Sequence, residues 1–300
     1  MILNKFRIGI LFVLMNFGLS IVGCSQPSVR SANSTHFVEQ DLSYQMDCGP
    51  RLPGSECHRQ IQEWIISSLK TTGWQVETHS FSYERSHGTN IIGKYGSGDA
   101  PILIGAHYDT RFTSDQETNP DLRQQPVPGA NDGASGVALL LQLSREIPRL
   151  FSPQQQTVWL VFFDLEDNGN YPGWDWILGS TAFANSLEIT PQSVVVVDMI
   201  GDKELNLYFE RNSSEKLNQE IWSTAHRLGY DAYFVPELKY RMIDDHIPFI
   251  QRGIPTALLI DFDYPYWHTT QDTLDKVSPE SILIVYDTLV NWMKDRSNGS

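Results

Sequence analysis

Apolar runs that end in acidic or imidazole side chains dominate the hydrophobic pattern of this chain. Residues 158–163 (VWLVFF) have the β-branched and aromatic content of a strand covered on both faces. Three acids follow that run within four positions: Asp164, Glu166 and Asp167. Further buried strands are predicted at 101–106, 193–198 and 257–260. Because acids at the end of a buried strand are costly unless cations or protons compensate them, this pattern is typical of a ligand site. A solvated turn after the strand explains this stretch equally well when it is taken alone.

Segments with helical periodicity alternate with these strands. The helices are predicted at 57–72, 135–147 (ended by Pro148), from Ser180, at 213–228 and at 279–294. Less hydrophobic strands are predicted at 75–83, 89–94 and 205–209. Buried strands that alternate with helices predict an α/β fold with a largely parallel sheet covered on both faces. We find neither an internal repeat nor a linker after residue 40, which predicts one catalytic domain over 41–300.

The first 23 residues have the pattern of a secretory signal. Lys5 and Arg7 precede an apolar run at 8–22, and small residues lead to Cys24. This segment resembles a bacterial lipobox, which implies cleavage before Cys24 and lipidation of its thiol. We therefore expect an exported protein, anchored at the cell envelope by its lipid alone and facing the periplasm. An ordinary signal peptide or a membrane anchor is the alternative, and residues 24–40 are predicted to form a polar tether.

Composition narrows the class of partner. Hydrophobic residues make up 41% and charged residues 19% of the 300, which indicates a folded globular protein with a substantial core. The formal net charge is −14. Cleavage of the predicted signal would remove Lys5 and Arg7 and make the mature protein more negative still. So acidic a protein is not expected to bind nucleic acid or to lie on anionic lipid.

Two cysteines remain besides the predicted lipidation site. Cys48 and Cys57 are nine positions apart across a loop that contains Gly-Pro and Pro-Gly. In an exported chain, exactly one remaining pair favours a disulfide, and two free buried thiols are the alternative. In either case the pair is structural, so neither a cysteine nucleophile nor a thiolate zinc site is expected.

Six acidic or imidazole residues lie just after predicted strands or at the start of predicted helices. They are His107, Asp132, Glu166, Asp167, Asp198 and His268. In open α/β sheets such positions converge on one edge of the sheet. Imidazoles and carboxylates together suit a catalytic zinc site. Asp109, two residues after His107, is a candidate to hold that imidazole by a hydrogen bond. Taken singly, each residue is equally typical of a structural histidine or a capping acid.

Five short runs resemble the blocks of the zinc aminopeptidase and glutaminyl cyclase superfamily. They are GAHYDT (105–110), GANDGASG (129–136), FFDLEDNG (162–169), VVDMIGD (196–202) and YWHTTQDT (266–273). The resemblance implies a three-layer α/β/α sandwich with a mixed, mainly parallel central sheet. It implies metal ligands at His107, Asp132, Asp167, Asp198 and His268, with Asp132 bridging if two zincs bind. Glu166 would be the general base.

The two branches of that superfamily imply different reactions. An aminopeptidase uses two zincs to activate a water that hydrolyses the N-terminal residue. A glutaminyl-peptide cyclotransferase needs one zinc, which the resemblance places on Asp132, Asp167 and His268. It converts an N-terminal Gln to pyroglutamate and releases ammonia, with Glu166 carrying the proton. The expected partners are accordingly N-termini of peptides or proteins, and a monomer is expected.

Three features favour the cyclase. The segment Asp244-Asp245-His246 matches a cyclase motif whose first Asp joins an acid network with Glu166 and Asp198. Trp267 lies directly before the predicted ligand His268. In the cyclases that this chain resembles, the Trp that lines the glutamine pocket also lies directly before a ligand His. Trp174 and Trp176 are candidates for the opposite wall, although packing in the core or a lid would also explain these aromatic residues. The aminopeptidase stays as the alternative, and a non-catalytic binding lipoprotein is a third hypothesis.

Overall fold

The computed structural model describes residues 30–84 and 86–298; the predicted signal peptide 1–23 and Cys24 lie outside the described residues. The helices are α1 (Ser34–Cys48), α2 (Glu56–Thr71), α3 (Ala134–Leu150), α4 (Leu178–Ser186), α5 (Glu215–Arg227), α6 (Ile247–Gln251) and α7 (Pro279–Asn298). The strands are β1 (Gln75–Tyr83), β2 (Ser86–Tyr95), β3 (Ile102–His107), β4 (Val158–Phe163), β5 (Ser193–Asp198), β6 (Leu207–Phe209), β7 (Phe234–Leu238) and β8 (Thr256–Ile260). None of the described helices combines the length and apolar content that a bilayer crossing needs.

Six strands form a mixed sheet in the order β1-β2-β4-β3-β5-β8. The first two pairings in that order are antiparallel, and the pairings among β4, β3, β5 and β8 are parallel. His107 pairs with Phe163, and Asp198 pairs with Ile260. The parallel strands therefore end together, so the polar residues that follow them meet at one edge.

Successive residues of β3 face opposite layers. Ile102 and Ile104 pack into a core that includes α1, α3, α5 and α7, whereas Leu103 packs into a second core on the other face with residues of α4 and α6. All three side chains are fully buried. This alternation is that of a strand covered on both faces. It confirms the three-layer α/β/α sandwich with its mainly parallel sheet.

The N-terminal boundary differs from the prediction, because the second half of the predicted tether 24–40 belongs to the fold. Helix α1 begins at Ser34, and Val38 and Leu42 are buried in the core. Arg30 already forms ion pairs with Glu280 and Asp287 of α7. The buried stripe of α1 also contains Ser34, Asp41 and Gln45, so its hydrophobic periodicity is weak. That is why composition alone indicated a tether.

Helix α3 runs through Pro148, where the sequence predicted its end, and continues to Leu150. Proline cannot donate the hydrogen bond that the carbonyl of Ser144, four residues earlier, would normally accept. The indole N–H of Trp74 donates to that carbonyl instead, at 2.8 Å. The side chain from outside the helix satisfies the freed acceptor, so the helix continues.

The remaining differences are small. The predicted strand 205–209 shortens to β6, which pairs in parallel with β7 in a separate two-stranded sheet. Strand β7 was not predicted, since its sequence FVPEL contains a proline and does not alternate cleanly. The predicted disulfide is confirmed: Cys48 at the end of α1 is bonded to Cys57 in α2, with Cα atoms 5.5 Å apart.

Candidate metal centre and substrate pocket

The loops that follow the parallel strands turn sharply to direct side chains into one site. Leu165, Met199 and His268 all have positive φ, at 56°, 46° and 53°. Non-glycine residues seldom adopt this left-handed region, which costs free energy and persists where surrounding contacts impose it. Leu165 and Met199 are fully buried. The turn at Leu165 presents Glu166 and Asp167, so backbone strain is concentrated where the chemistry-bearing residues are.

The five predicted ligands form two groups that share one carboxylate. His107, Asp132 and Asp198 make up one group, and Asp132, Asp167 and His268 the other, with the potential ligand atoms of each group within 4.8 Å of one another. Asp132 Oδ1 lies 3.1 Å from Nε2 of His107, and its Oδ2 lies 3.6 Å from Nε2 of His268. One carboxylate thus faces both groups with different oxygens.

The outer residue of each group also contacts its imidazole. Asp198 Oδ1 is 3.3 Å from Nε2 of His107, and Asp167 Oδ1 is 2.8 Å from Nε2 of His268. The same ring nitrogen in each case therefore points to where two carboxylates meet. Each group thus brings one imidazole nitrogen and two carboxylate groups together, which is the kind of three-residue donor set that catalytic zinc sites use.

Buried charge and unpaired atoms indicate that this donor set fits a cation. Burial raises the pKa of Asp167 to about 6, and the neighbouring charge of Asp132 adds to the effect. The second oxygen of Asp167, Oδ2, is buried and has no hydrogen-bond partner among the described residues. A divalent cation would satisfy that oxygen and compensate the carboxylates that crowd the site. Nitrogen and oxygen donors of this kind suit zinc.

Asp109 lies beside His107 and also anchors the loop after β4. Its Oδ1 is 3.7 Å from Nδ1 of His107, an ion-pair distance that is longer than a hydrogen bond, on the side of the ring opposite Nε2. Asp109 also accepts hydrogen bonds from the backbone N–H groups of Glu166 and Asp167, at 3.0 and 3.4 Å. That Asp109 holds the imidazole therefore stays a prediction, and its hydrogen bonds to the two amides are an additional role that the sequence did not indicate.

A pocket of about 330 Å³ opens over the second group of ligands. Trp267 and Trp176 line it and stack near His268, with ring centroids 3.9 and 6.1 Å from the imidazole. Trp174 does not line it and packs edge-on against Phe112, at 5.3 Å between centroids. Of the three tryptophans predicted to contact substrate, the structure places Trp267 and Trp176 at the pocket and Trp174 against Phe112.

Glu166 and Asp244 both line this pocket. Burial raises the pKa of Glu166 well above its usual value, and the charges of Asp167, Asp245 and Asp244 add to the effect against the opposing charge of His107. Burial likewise raises the pKa of Asp244 well above its usual value, followed by the charge of Asp198. Both carboxyl groups therefore hold a proton readily, which suits groups that exchange one with a substrate.

Asp244, Glu166 and Asp198 share the pocket, where the cyclase motif led us to expect an acid network. Besides burial, which is the larger cause, the charge of Asp198 raises the pKa of Asp244, and the charge of Asp244 raises the pKa of Glu166. Asp244 Oδ1 also accepts a hydrogen bond from the backbone N–H of Asp245. A hydrogen-bonded network among the three acids stays a prediction.

The sequence and the fold both resemble those of known proteins. The model of peptidase family M28 matches residues 90–293, about two thirds of the chain. The chain belongs to peptidase family M28. That assignment agrees with the superfamily that the five sequence blocks indicated.

The proteins similar to this M28 member include both glutaminyl cyclases and exopeptidases. A glutaminyl-peptide cyclotransferase of Boiga irregularis is 27% identical over 287 residues, which cover 80% of this chain and 76% of that protein. A Porphyromonas gingivalis glutaminyl cyclase superposes with a TM-score of 0.81 and 28% identity, covering 90% and 100% of the two chains. A Zn-dependent exopeptidase from Parabacteroides distasonis gives a TM-score of 0.81 and 26% identity, covering 89% and 98%. The shared fold is therefore common to cyclases and exopeptidases.

Three residues of this M28 site were missed by the sequence analysis. The first, Arg51, is fully buried, and each hydrogen bond that its side chain donates within the described residues goes to a backbone carbonyl oxygen. Its acceptors belong to Tyr108, Pro128, Gly129 and Asp132. The guanidinium thus fixes both ends of the connection between β3 and α3, which begins directly after His107 and carries Asp132. A single arginine in a proline-rich loop gives no sequence signal for this role.

The other two are acids that contact ligand residues. Asp272 accepts hydrogen bonds from the backbone N–H groups of Asn131 and Asp132, at 2.8 and 3.1 Å. Asp115 Oδ1 lies 3.3 Å from Nδ1 of His268, on the side of the ring opposite the metal-facing nitrogen. Carboxylates in such positions orient ligands. Asp272 lies in the block YWHTTQDT, which was the available signal; Asp115 lies in a loop without a pattern.

Proposed function

We propose that this chain is a glutaminyl-peptide cyclotransferase that converts the N-terminal Gln of peptides or proteins to pyroglutamate. The observation that carries the proposal is the pocket in which Trp267 and Trp176 flank a floor of Glu166 and the ligands Asp167 and His268. Similarity to glutaminyl cyclases over nearly the whole fold supports the same reaction.

The residues suggest how the substrate is held. Asp132, Asp167 and His268 would hold one zinc, which, when bound, supplies a Lewis acid that polarises the side-chain amide of the substrate. The indole rings of Trp267 and Trp176 offer apolar walls to the aliphatic part of a Gln side chain. The α-amine and the amide carbon belong to one residue, so holding that residue in a bent conformation brings nucleophile and electrophile together.

Glu166 is assigned the proton transfer. Its carboxylate takes a proton from the α-amine as the amine nitrogen forms a bond to the side-chain carbonyl carbon. The protonated Glu166 then returns the proton to the departing amide nitrogen as that carbon–nitrogen bond breaks. The products are pyroglutamate and ammonia, and no water is consumed. The raised pKa of Glu166 suits both halves of this transfer.

A zinc aminopeptidase is the second candidate, and one observation favours it. The group His107, Asp132 and Asp198 is intact beside the other group, so the residues for a second zinc are present. The similar Parabacteroides distasonis structure is that of a Zn-dependent exopeptidase. In such an enzyme Glu166 would take a proton from a water instead of from an amine.

We also propose that the protein acts outside the cytoplasm. The lipobox-like segment supports export and a lipid on Cys24, and the disulfide Cys48–Cys57 is typical of an oxidising compartment. A monomer tethered by this lipid would meet free N-termini of peptides at the cell envelope. Labelling of the full chain with a radioactive fatty acid, lost in Cys24→Ala, tests the anchor.

The experiment that tests the function compares two peptides. The chain without residues 1–24, loaded with zinc, is incubated with a Gln-initiated peptide and with the same peptide initiated by Leu, and the products are read by mass spectrometry. Loss of one ammonia from the Gln peptide alone, absent in Glu166→Gln, supports the cyclase. Release of free Leu would favour the aminopeptidase. No change in either peptide would favour the non-catalytic binding lipoprotein.

A further inference from the structure

The pocket mouth carries a single cation among many acids. The floor contains the carboxylates of Asp132, Glu166, Asp167, Asp198 and Asp244, all of them lining residues. Arg241 is the only Lys or Arg among the described residues that line the same pocket. The acidic residues are largely buried, whereas Arg241 is exposed. The pocket is therefore ordered by charge, with acids at its base and one guanidinium at its rim.

A network of hydrogen bonds holds the segment that carries Arg241. Buried Glu210 accepts from the backbone N–H groups of Met242 and Asn212, at 3.0 and 2.8 Å. His246 Nε2, at the far end of the segment, lies 3.2 Å from the same carboxylate. These hydrogen bonds fix the backbone directly after Arg241 and so help to place its side chain at the rim.

The guanidinium itself is oriented but not neutralised. Arg241 Nη1 donates to the side-chain oxygen of Asn212, whose own amide nitrogen donates to the carbonyl of Met242 at 3.0 Å. No carboxylate forms an ion pair with Arg241 in the described part of the chain. Nearby Lys239, in contrast, is paired with Asp263. Arg241 therefore keeps both its charge and its remaining N–H donors for a ligand.

We propose that Arg241 selects peptides with an acidic side chain at the second or third residue, counting the N-terminal Gln as the first. The inference rests on the proposed function, because an N-terminal Gln seated at the buried floor directs the following residues to the rim. Arg241 and Ile243, whose side chain is 67% exposed, border that exit. A guanidinium binds a carboxylate through paired N–H donors, which an ammonium cannot do. The substrate class is thus Gln-initiated peptides that carry Glu or Asp as their second or third residue.

The test compares substrates that differ only in charge. kcat/KM is measured for Gln-Glu-Ala-, Gln-Gln-Ala-, Gln-Ala-Glu- and Gln-Ala-Gln- peptides with the wild type, Arg241→Gln and Arg241→Glu. An exposed ion pair is worth a few tenths to about 1 kcal/mol, so the Glu-to-Gln ratio at the recognised position should fall about threefold in Arg241→Gln. It should fall further in Arg241→Glu. The difference between wild type and variant should shrink in 1 M salt, where charges are screened within about 3 Å.

Lys216→Gln provides the matched control. It removes the same charge from an exposed position on α5, outside the lining of the pocket, and should leave every ratio unchanged. Conversion of all peptides with the same ratios in Arg241→Gln as in the wild type would overturn the inference alone. No conversion of any Gln peptide by the wild type would overturn the proposed function and the inference with it.

Discussion

The carboxylate of Asp109 accepts a hydrogen bond from the backbone N–H of Glu166 at 3.0 Å, and so fixes the start of the loop that carries the proposed base. The adjacent N–H of Asp167 donates to the other oxygen of Asp109. One fully buried acid on the β3 side thus positions both the base and a ligand on the β4 side. These two hydrogen bonds to Asp109 help to hold the strained turn at Leu165.

Asp109→Asn should lower kcat by about 10- to 100-fold, which is the usual cost of losing a partner that orients a ligand. The amide offers one acceptor where two N–H donors need one each, so either Glu166 or Asp167 loses its anchor. Steady-state kinetics on a Gln peptide measure the effect. Asp121→Asn on the surface is the control and should behave as the wild type. Unchanged kcat in Asp109→Asn would contradict the positioning role.

Removing single ligands should separate the two proposed metal groups. If one zinc suffices, Asp198→Ala should keep about one equivalent of zinc and measurable turnover, because Asp132, Asp167 and His268 remain. Asp167→Ala should lose the metal and fall by more than the roughly 100-fold that an orienting partner costs. Metal content by mass spectrometry and turnover with and without chelator check both. Two equivalents in the wild type, with Asp198→Ala inactive, would favour the aminopeptidase.

The two loop tryptophans form a matched pair for testing the pocket. Trp176 lines the pocket and stacks near His268, whereas Trp174 packs on Phe112 away from it. Trp176→Ala should lower kcat/KM for a Gln peptide by about tenfold, since an aromatic contact contributes on the order of 1 kcal/mol beyond its buried area. Trp174→Ala should stay within about twofold. Equal losses in both variants would mean that the loop acts as one unit.

The ligand positions could be predicted because they depend on the sheet. His107 and Asp198 end buried strands, and parallel strands bring their ends to one edge regardless of detail. The hydrogen bonds of Asp109 to the amides of Glu166 and Asp167 could not be predicted, because only the path of the loop after β4 brings those amides to its carboxylate. Trp174 and Trp176 are equivalent in sequence, and only the loop conformation separates them.

No sequence pattern could have predicted the contacts of Arg51. Its acceptors are backbone carbonyls, which every residue has, and they belong to two stretches far from Arg51 in the sequence, at Tyr108 and at residues 128–132. Helix α3 past Pro148 is a similar case, since it depends on the indole of Trp74 from another element. Sequence periodicity indicates which face of an element is buried. It does not predict hydrogen bonds between segments that are far apart in the sequence.

The disulfide should contribute measurably to stability. Closing the short loop between Cys48 and Cys57 stabilises the fold by about 2–3 kcal/mol in the chain-entropy account. The double variant Cys48→Ser/Cys57→Ser should therefore unfold at lower urea, with a similar slope. Reductant should shift the wild type toward the variant and leave the variant unchanged. A wild type insensitive to reductant and equal in stability to the variant would indicate that the bond does not form in solution.

Asp261 should make stability depend on pH. The side chain is fully buried and accepts hydrogen bonds from the backbone N–H groups of Asn206 and Asp263. Burial raises its pKa to about 7, from a usual value near 3.9. A carboxyl with a raised pKa is favoured in its protonated form by the folded state. Its ionisation therefore begins to cost free energy of folding above about pH 4, and the full cost is reached above about pH 7.

Asp261→Asn isolates that cost. A shift of about three pH units corresponds to roughly 4 kcal/mol as an upper limit. The variant loses one of the two backbone hydrogen bonds at every pH, but it carries no charge to bury. Hence the stability of Asp261→Asn relative to the wild type should improve steadily from pH 5 to pH 8. Urea unfolding of both proteins at each pH measures this, and effects of other titrating groups cancel in the difference. Parallel stability curves would mean that Asp261 keeps an ordinary pKa in the folded protein.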